Sequence, residues 1–485
     1  MEQVSDTPMD EEKSNDKYEN VSPNKNRTNK AETDDTVTAS ETLLTRNMEL
    51  DSIQNDCDNS STESQHMTSE QKFTLVSLCV SYIFEAAFFS MLGPFFPQEA
   101  NKKGASETMT GLIFGIFAVV MFLTSPFFGA ILTRVGAKFM FVAGLFVAGG
   151  CNVIFGFLDE SPNGWIYVVL CLTVRTLEAL GTSAYATASF AIMAYTFPDR
   201  VSTMFGIIEV FGGLGMMIGP VIGGALFQAG GFKLPFIVSG ALVTFIAILC
   251  IWLLPSPKNL ENMQGSILSL FKMPVTFIVY YIIFVGALTI GFLDVAYSLH
   301  LKPFHLSPLL VGIVFLVGPA VYALASPFLG CILDKKGWCK SSMALGGILV
   351  LVSFSLMGPV PFLSLPIESL WLNIVSSVIL GLGFSTLLVP PLQELLIAAF
   401  KSGYPDNLET YGITSGLYTS AFSAGGLGGS IGGGFLLEKV GFSWTAFIMG
   451  LMGASCTLFL ALYQFVRTFR CKSKEEIPER SPLIP

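Results

Sequence analysis

From Phe73 onward the chain alternates long apolar runs with short polar breaks, and the runs recur at close to the roughly 20 residues that cross a bilayer's hydrocarbon core. Twelve runs are read, at 73–95, 108–130, 139–158, 165–195, 203–228, 235–254, 275–299, 309–330, 342–359, 370–398, 413–436 and 444–466. In lipid a run of this kind satisfies its own backbone only as a helix, so the pattern predicts an all-α membrane protein of twelve transmembrane helices. The runs 165–195 and 370–398 exceed a straight crossing and predict tilt or extension into water.

Composition agrees: 52% of the 485 residues are hydrophobic and 13% charged, which excludes an ordinary soluble domain. The net charge of −9 is local, because residues 1–70 carry 17 acidic and 6 basic side chains and leave the rest slightly positive. That tail is polar and nearly free of aromatics, cannot bury enough apolar surface to fold, and is read as a disordered acidic cytoplasmic segment. It lacks the charged and apolar regions of a signal peptide, so the first run is expected to target the chain. Glycosylation patterns at Asn20, Asn26 and Asn59 would matter only in a lumenal tail. Basic residues favour the breaks on the N-terminal side, with Arg134, Lys138, Arg200, Lys335, Lys336, Lys340 and Lys401 there against Lys102, Lys103, Lys233, Lys302 and Lys439 opposite, which predicts both termini inside. Most cysteines fall in the apolar runs, as small packing residues rather than disulfide partners.

The breaks repeat. "GAILTRVGAK" (Gly129 to Lys138) and "GCILDKKGWCK" (Gly330 to Lys340) place a glycine, a polar residue, a basic residue and a second glycine at the same offsets. "GPVIGGALFQAGGF" (Gly219 to Phe232) is echoed by "GGSIGGGFLLEKVGF" (Gly428 to Phe442). Each copy lies six runs from its partner, giving halves at 71–254 and 275–466, a cytoplasmic linker at 255–274 and a C-terminal tail at 467–485. Such halves predict a rocking transporter with its site between them near the midplane.

Together, the twelve runs, the repeated loop, Arg175 in the fourth run and Gly219-Pro220-x-x-Gly223-Gly224 in the fifth resemble the major facilitator superfamily, specifically its proton-coupled antiporters. The runs "LGPFFPQEANKKGAS", "GAKFMFVAG" and "IEVFGGLGMMIGPVIGG" look like the vesicular amine transporters, in particular the vesicular polyamine branch. The resemblance implies proton-driven export of organic cations, most of all polyamines, into acidic vesicles, and it implies a tie between the fourth-run Arg175 and proton transfer.

Ionisable residues in lipid are costly, about 2.5–3.5 kcal/mol on insertion scales, so they usually face a protein interior or water. The runs hold Glu85, Arg175, Glu178, Glu209, Asp294 and Glu394, a cluster dominated by carboxylates that suits a cation exchanged for protons. Arg175 and Glu178 share a helical face with Thr182, Tyr185 and Ser189. They form either a self-neutralising structural pair or a relay in which Glu178 trades Arg175 for a cation or proton. Asp294, near Ala287, Gly291 and Tyr297, and Glu85, near Tyr82, offer a carboxylate beside an aromatic face, which an ammonium favours. Glu394, near the inner surface, is the weakest candidate.

The glycines of the fifth and eleventh runs predict a hinge or a close seam where the halves meet. Gly129, Arg134 and Gly136 of the first loop and Asp334, Lys335 and Gly337 of the second are candidate gating elements. Thr133 stands where the family's first copy has Asp, so the second loop is the better candidate for an inner latch. Glu479, Leu483 and Ile484 fit an acidic dileucine pattern for cytosolic sorting adaptors and a vesicular address. No phosphate-binding Gly-x-x-x-x-Gly-Lys-Ser/Thr loop and no metal or nucleophile pattern occurs, so the reading is a cofactor-free, non-enzymatic monomer that handles small organic cations and protons, with no nucleic-acid partner. A broader monoamine or drug exporter, and a non-transporting receptor of the same fold, stay open.

Overall fold

The computed structural model describes residues 67–92, 96–255, 273–306, 308–359 and 369–475. The acidic tail through residue 66, most of the linker and the motif of Glu479, Leu483 and Ile484 lie outside them. Among the described residues every regular element is helical. The first half comprises α1 (Ser69–Met91), the short α2 (Phe96–Lys102), α3 (Glu107–Val135), α4 (Ala137–Phe157), α5 (Trp165–Thr196), α6 (Val201–Gly230) and α7 (Lys233–Leu253). The second comprises α8 (Pro274–Leu301), α9 (Pro308–Lys336), α10 (Cys339–Met357), α11 (Leu370–Leu388), α12 (Pro390–Lys401) and α13 (Leu408–Glu475).

Eleven helical segments among the described residues are long and apolar enough to cross a membrane. The last, Leu408–Val466, is broken at Gly441, where φ of 77° is a conformation that favours glycine, and each arm exceeds the roughly 20 residues of one crossing. The long run at 370–398 becomes two helices because Pro390 and Pro391, which lack backbone N–H donors, begin a new helix after Val389. A capping box between Thr68 and Gln71 starts α1, and the Ser106 side chain caps α3.

The dense glycines form packing seams within each half. A β-carbon on Gly215 would strike Ala86 of α1, and Gly219 and Gly223 lie against Ala87 and Met91. In the second half Gly425, Gly429 and Gly433 lie in the same way against Phe284, Leu288 and Phe292 of α8. One sequence offset carries Ala87 to Leu288, Met91 to Phe292 and Gly129 to Gly330, so the repeat is physical. The expectation that the span-five glycines line the meeting of the halves is corrected for Gly219 and Gly223: they face their own half, because a glycine ridge lets α1 approach at backbone distance. Pro220 sits inside α6, and Gly224 has open space where a side chain would go.

The halves meet through other glycines. Gly129 of α3 abuts Gly412 and Gly416 of α13, Gly206 of α6 abuts Ser326 and Pro327 of α9, and Gly330 of α9 abuts Ser202 and Thr203 of α6. Five helical turns further along each of these helices stands a glycine on the same face: Gly111, Gly224 and Gly312. Among the described residues, a β-carbon at any of the three would meet nothing within 4 Å. The helices therefore touch at the end carrying the two repeated loops and diverge toward the other. Gly136 and Gly337 end α3 and α9 with φ of 94° and 65°, each N–H returning to the carbonyl four residues back, at Leu132 and Leu333, so both loop glycines act as helix caps.

Candidate functional site

Above the closed end the polar side chains form layers. The outermost is the pair within α5: Arg175 Nη1 donates to both Glu178 oxygens, at 2.8 and 2.9 Å, and each side chain is 1% exposed. The guanidinium carbon lies 4.7 Å from the Phe117 ring centre, and Arg175 Nε has no hydrogen-bond partner among the described residues. The three-residue spacing that put both side chains on one face closes the pair within a single helix. Glu85 of α1 faces this pair and meets Thr182, and the residue is less deeply buried than Arg175 and Glu178.

One turn nearer the closed end, Glu209 of α6 joins the halves. The Tyr82 hydroxyl of α1 donates to Glu209 Oε1 at 3.1 Å, and the Tyr322 hydroxyl of α9 donates to Oε2 at 3.1 Å. Two glycines explain why these helices come so near: Gly212 lies under the Tyr82 ring, and a β-carbon on Gly213 would touch Ala323 at 3.8 Å. Among the described residues neither Glu85 nor Glu209 belongs to an ion pair. Below Glu209 the buried rings of Phe190, Phe205 and Tyr418 form a floor, with centroids 5.2 Å apart for Phe190–Phe205 and Phe205–Tyr418 and 5.6 Å for Phe190–Tyr418.

Beneath the floor, Asp334 of α9 accepts the backbone N–H groups of Ser202 at 3.0 Å and Thr203 at 2.8 Å, capping the N-terminus of α6 from the other half. Ser202 Oγ donates to Gln393 at 2.6 Å. Lys335 and Arg134 are exposed. Glu394 pairs with Lys340 Nζ at 2.9 Å, which takes it out of any surplus of charge near the route.

Asp294 lies on α8 in the half away from the closed end; it is exposed and forms no hydrogen bond or ion pair among the described residues. The room expected beside it is filled: Gly291 abuts Gly426, and Ala287 abuts Gly425. The Tyr297 hydroxyl bonds Ser377 at 3.0 Å and its ring packs on Phe315. The structure thus gathers Tyr82, Glu85, Arg175, Glu178 and Glu209 in adjoining layers and leaves Asp294 and Tyr297 apart. Tyr322 and Tyr418 escaped sequence reasoning; the one available signal was that Tyr322 is a lone tyrosine in the apolar stretch that opens α9.

The family model for the Major Facilitator Superfamily matches residues 78–405 and again 284–485. The chain is 38% identical over 432 residues to the mouse "MFS-type transporter SLC18B1", covering 87% of this chain and 94% of that protein. This chain belongs to the major facilitator superfamily. It is a multi-pass membrane transporter, not an enzyme. Within the superfamily it is also 26% identical over 394 residues to the human "Synaptic vesicular amine transporter", covering 78% of this chain and 70% of that one. A crystal structure of the human organic anion transporter MFSD10 (TETRAN) superposes with a TM-score of 0.66 at 15% identity, over 80% of this chain and 99% of that one, a likeness of fold alone.

Proposed function

We propose that this transporter moves organic cations, foremost polyamines such as spermidine, into acidic vesicles in exchange for protons. The observation that carries the reading is the pair of part-buried carboxylates, Glu85 and Glu209, which have no cationic partner among the described residues although both lie within the helical bundle. A carboxylate in that position is costly unless a proton or a cation neutralises it, and it can hold only one of them at a time, which is the logic of exchange. Asp294, also without an ion pair among the described residues, lies apart from these two toward the open end. Carboxylates at several heights suit a linear cation bearing several charges, and they disfavour an anion.

Arg175 and Glu178 back this route. Their closed pair holds the charge behind Glu85, and movement of Glu178 toward a loaded cavity would link them to the relay. The similarity to vesicular amine transporters supports a vesicle membrane, with the closed, loop-bearing end and both termini cytoplasmic and the splayed end lumenal. Asp334, with Ser202 and Thr203, then acts as the cytoplasmic latch. The test is purified protein in liposomes that are acidic inside: spermidine should accumulate and collapse the proton gradient, serotonin should accumulate less, and a sugar not at all. Equal uptake with and without the gradient would refute exchange.

A further inference from the structure

We infer that Tyr82, Glu209 and Tyr322 form a charge-dependent lock that holds the loop-bearing end shut while Glu209 carries neither proton nor cation. Glu209 takes one hydroxyl from each half, at 3.1 Å on each oxygen, directly above the buried ring cluster of Phe190, Phe205 and Tyr418. An ionised carboxylate only accepts, so it receives both hydroxyls. Once protonated, Glu209 loses the charge that strengthens both hydroxyl contacts, and one of its oxygens carries a proton to donate, so the two-sided bridge weakens. An ammonium drawn to the same oxygens competes with the tyrosines in the same way. The empty carrier is thereby kept from switching, and loading of either kind frees it.

The surroundings favour Glu209 as the sensing group. Facing it are Tyr82 of α1, Tyr322 of α9 and Tyr418 of α13, with Glu85 one turn away on α1. The ionisable groups of α5, Arg175, Glu178 and Tyr185, bear on Glu85 instead. Cys250 of α7 lies against Ser81, and Glu394 of α12 is paired with Lys340. Tyr322 is the new participant. It is a positioning residue that reaches the site from the second half, and its ring stands one turn before Ser326, which seals against Gly206.

The lock rests on the exchange reading for what releases it, but its test needs no transport. Ser326 is fully buried where α6 meets α9, so a cysteine placed there by Ser326→Cys reacts with a thiol reagent only when this end opens. Labelling at position 326 is read by mass spectrometry on the full-length protein in detergent, at neutral and mildly acidic pH, and normalised to the denatured protein at each pH. Added Tyr322→Phe or Tyr82→Phe should raise labelling at neutral pH roughly tenfold, the factor for losing one hydrogen bond to a charged acceptor. Acid should raise labelling when Glu209 is intact, and Glu209→Gln should give high labelling at both pH values. Unchanged labelling in both tyrosine variants, or an acid response that survives Glu209→Gln, would overturn the lock. A lock that behaves as described in a protein that fails to exchange cations for protons would instead refute the proposed function.

Discussion

The two halves are alike in how they pack and unlike in what they carry. The α1–α6 seam and the α8–α13 seam use glycines at matching positions, Gly219 against Ala87 in one and Gly429 against Leu288 in the other. At the same offsets, Tyr82 and Glu85 correspond to Ile283 and Gly286, and Glu209 corresponds to Thr419. At these matched positions the backbone contact recurs while the carboxylates do not, and the second half meets Glu209 with the Tyr322 hydroxyl. The cross-half caps differ as well. Asp334 caps α6 from the opposite half, whereas Thr133 occupies the equivalent site in the first half and α13 is capped locally, Thr410 N–H donating to Asn407 Oδ1 at 3.1 Å. Both seams between the halves are made by glycine contacts, and the α6–α9 seam adds a charged cap.

The largest expected effect comes from the charged half. Glu178→Gln leaves Arg175 buried without its partner, which costs about 3–5 kcal/mol and should lower the melting temperature sharply along with uptake. Restoring stability with Arg175→Gln added would mark the pair as chiefly structural. Next are the seams: Gly219→Val and Gly429→Val each drive a branched side chain into a facing helix, with overpacking losses of about 1–3 kcal/mol or more. Similar falls in thermal stability are expected from both, and tolerance of one alone would break the equivalence of the halves. The caps follow, at about 0.5–2 kcal/mol. Asp334→Asn should speed amide exchange at the start of α6 and loosen the closed end, while Asn407→Ala should affect only the start of α13. The smallest effect is expected from Asp294→Asn, since an exposed charge contributes about 0.2–1 kcal/mol, at most about a fivefold change in apparent affinity for spermidine.

Much of the fold was legible because lipid permits few solutions: run length gave the helices, and the repeated loop gave the two halves. The boundaries moved where local chemistry decided them, at the capping box of Thr68 and at Pro390. The site was half legible. Charge in an apolar run pointed to Glu85, Arg175, Glu178 and Glu209, but a carboxylate's partner depends on which helices touch. The pairing of Glu394 with Lys340, the isolation of Asp294 and the reach of Tyr322 across the halves are tertiary facts. Glycine density was legible as close packing, but not which neighbour it served. Gly219 faces α1, while the less conspicuous Gly206 and Gly330 join the halves.

The central claim, that carboxylates of the first half exchange cation for proton, is tested most directly by gradient-driven uptake of labelled spermidine into liposomes that are acidic inside. Wild type, Glu209→Gln, Glu85→Gln and Thr419→Val are compared at matched protein levels. The account predicts losses of roughly ten- to a hundredfold for each glutamine variant and near wild-type uptake for Thr419→Val. Undiminished gradient-driven uptake in both Glu209→Gln and Glu85→Gln would contradict it.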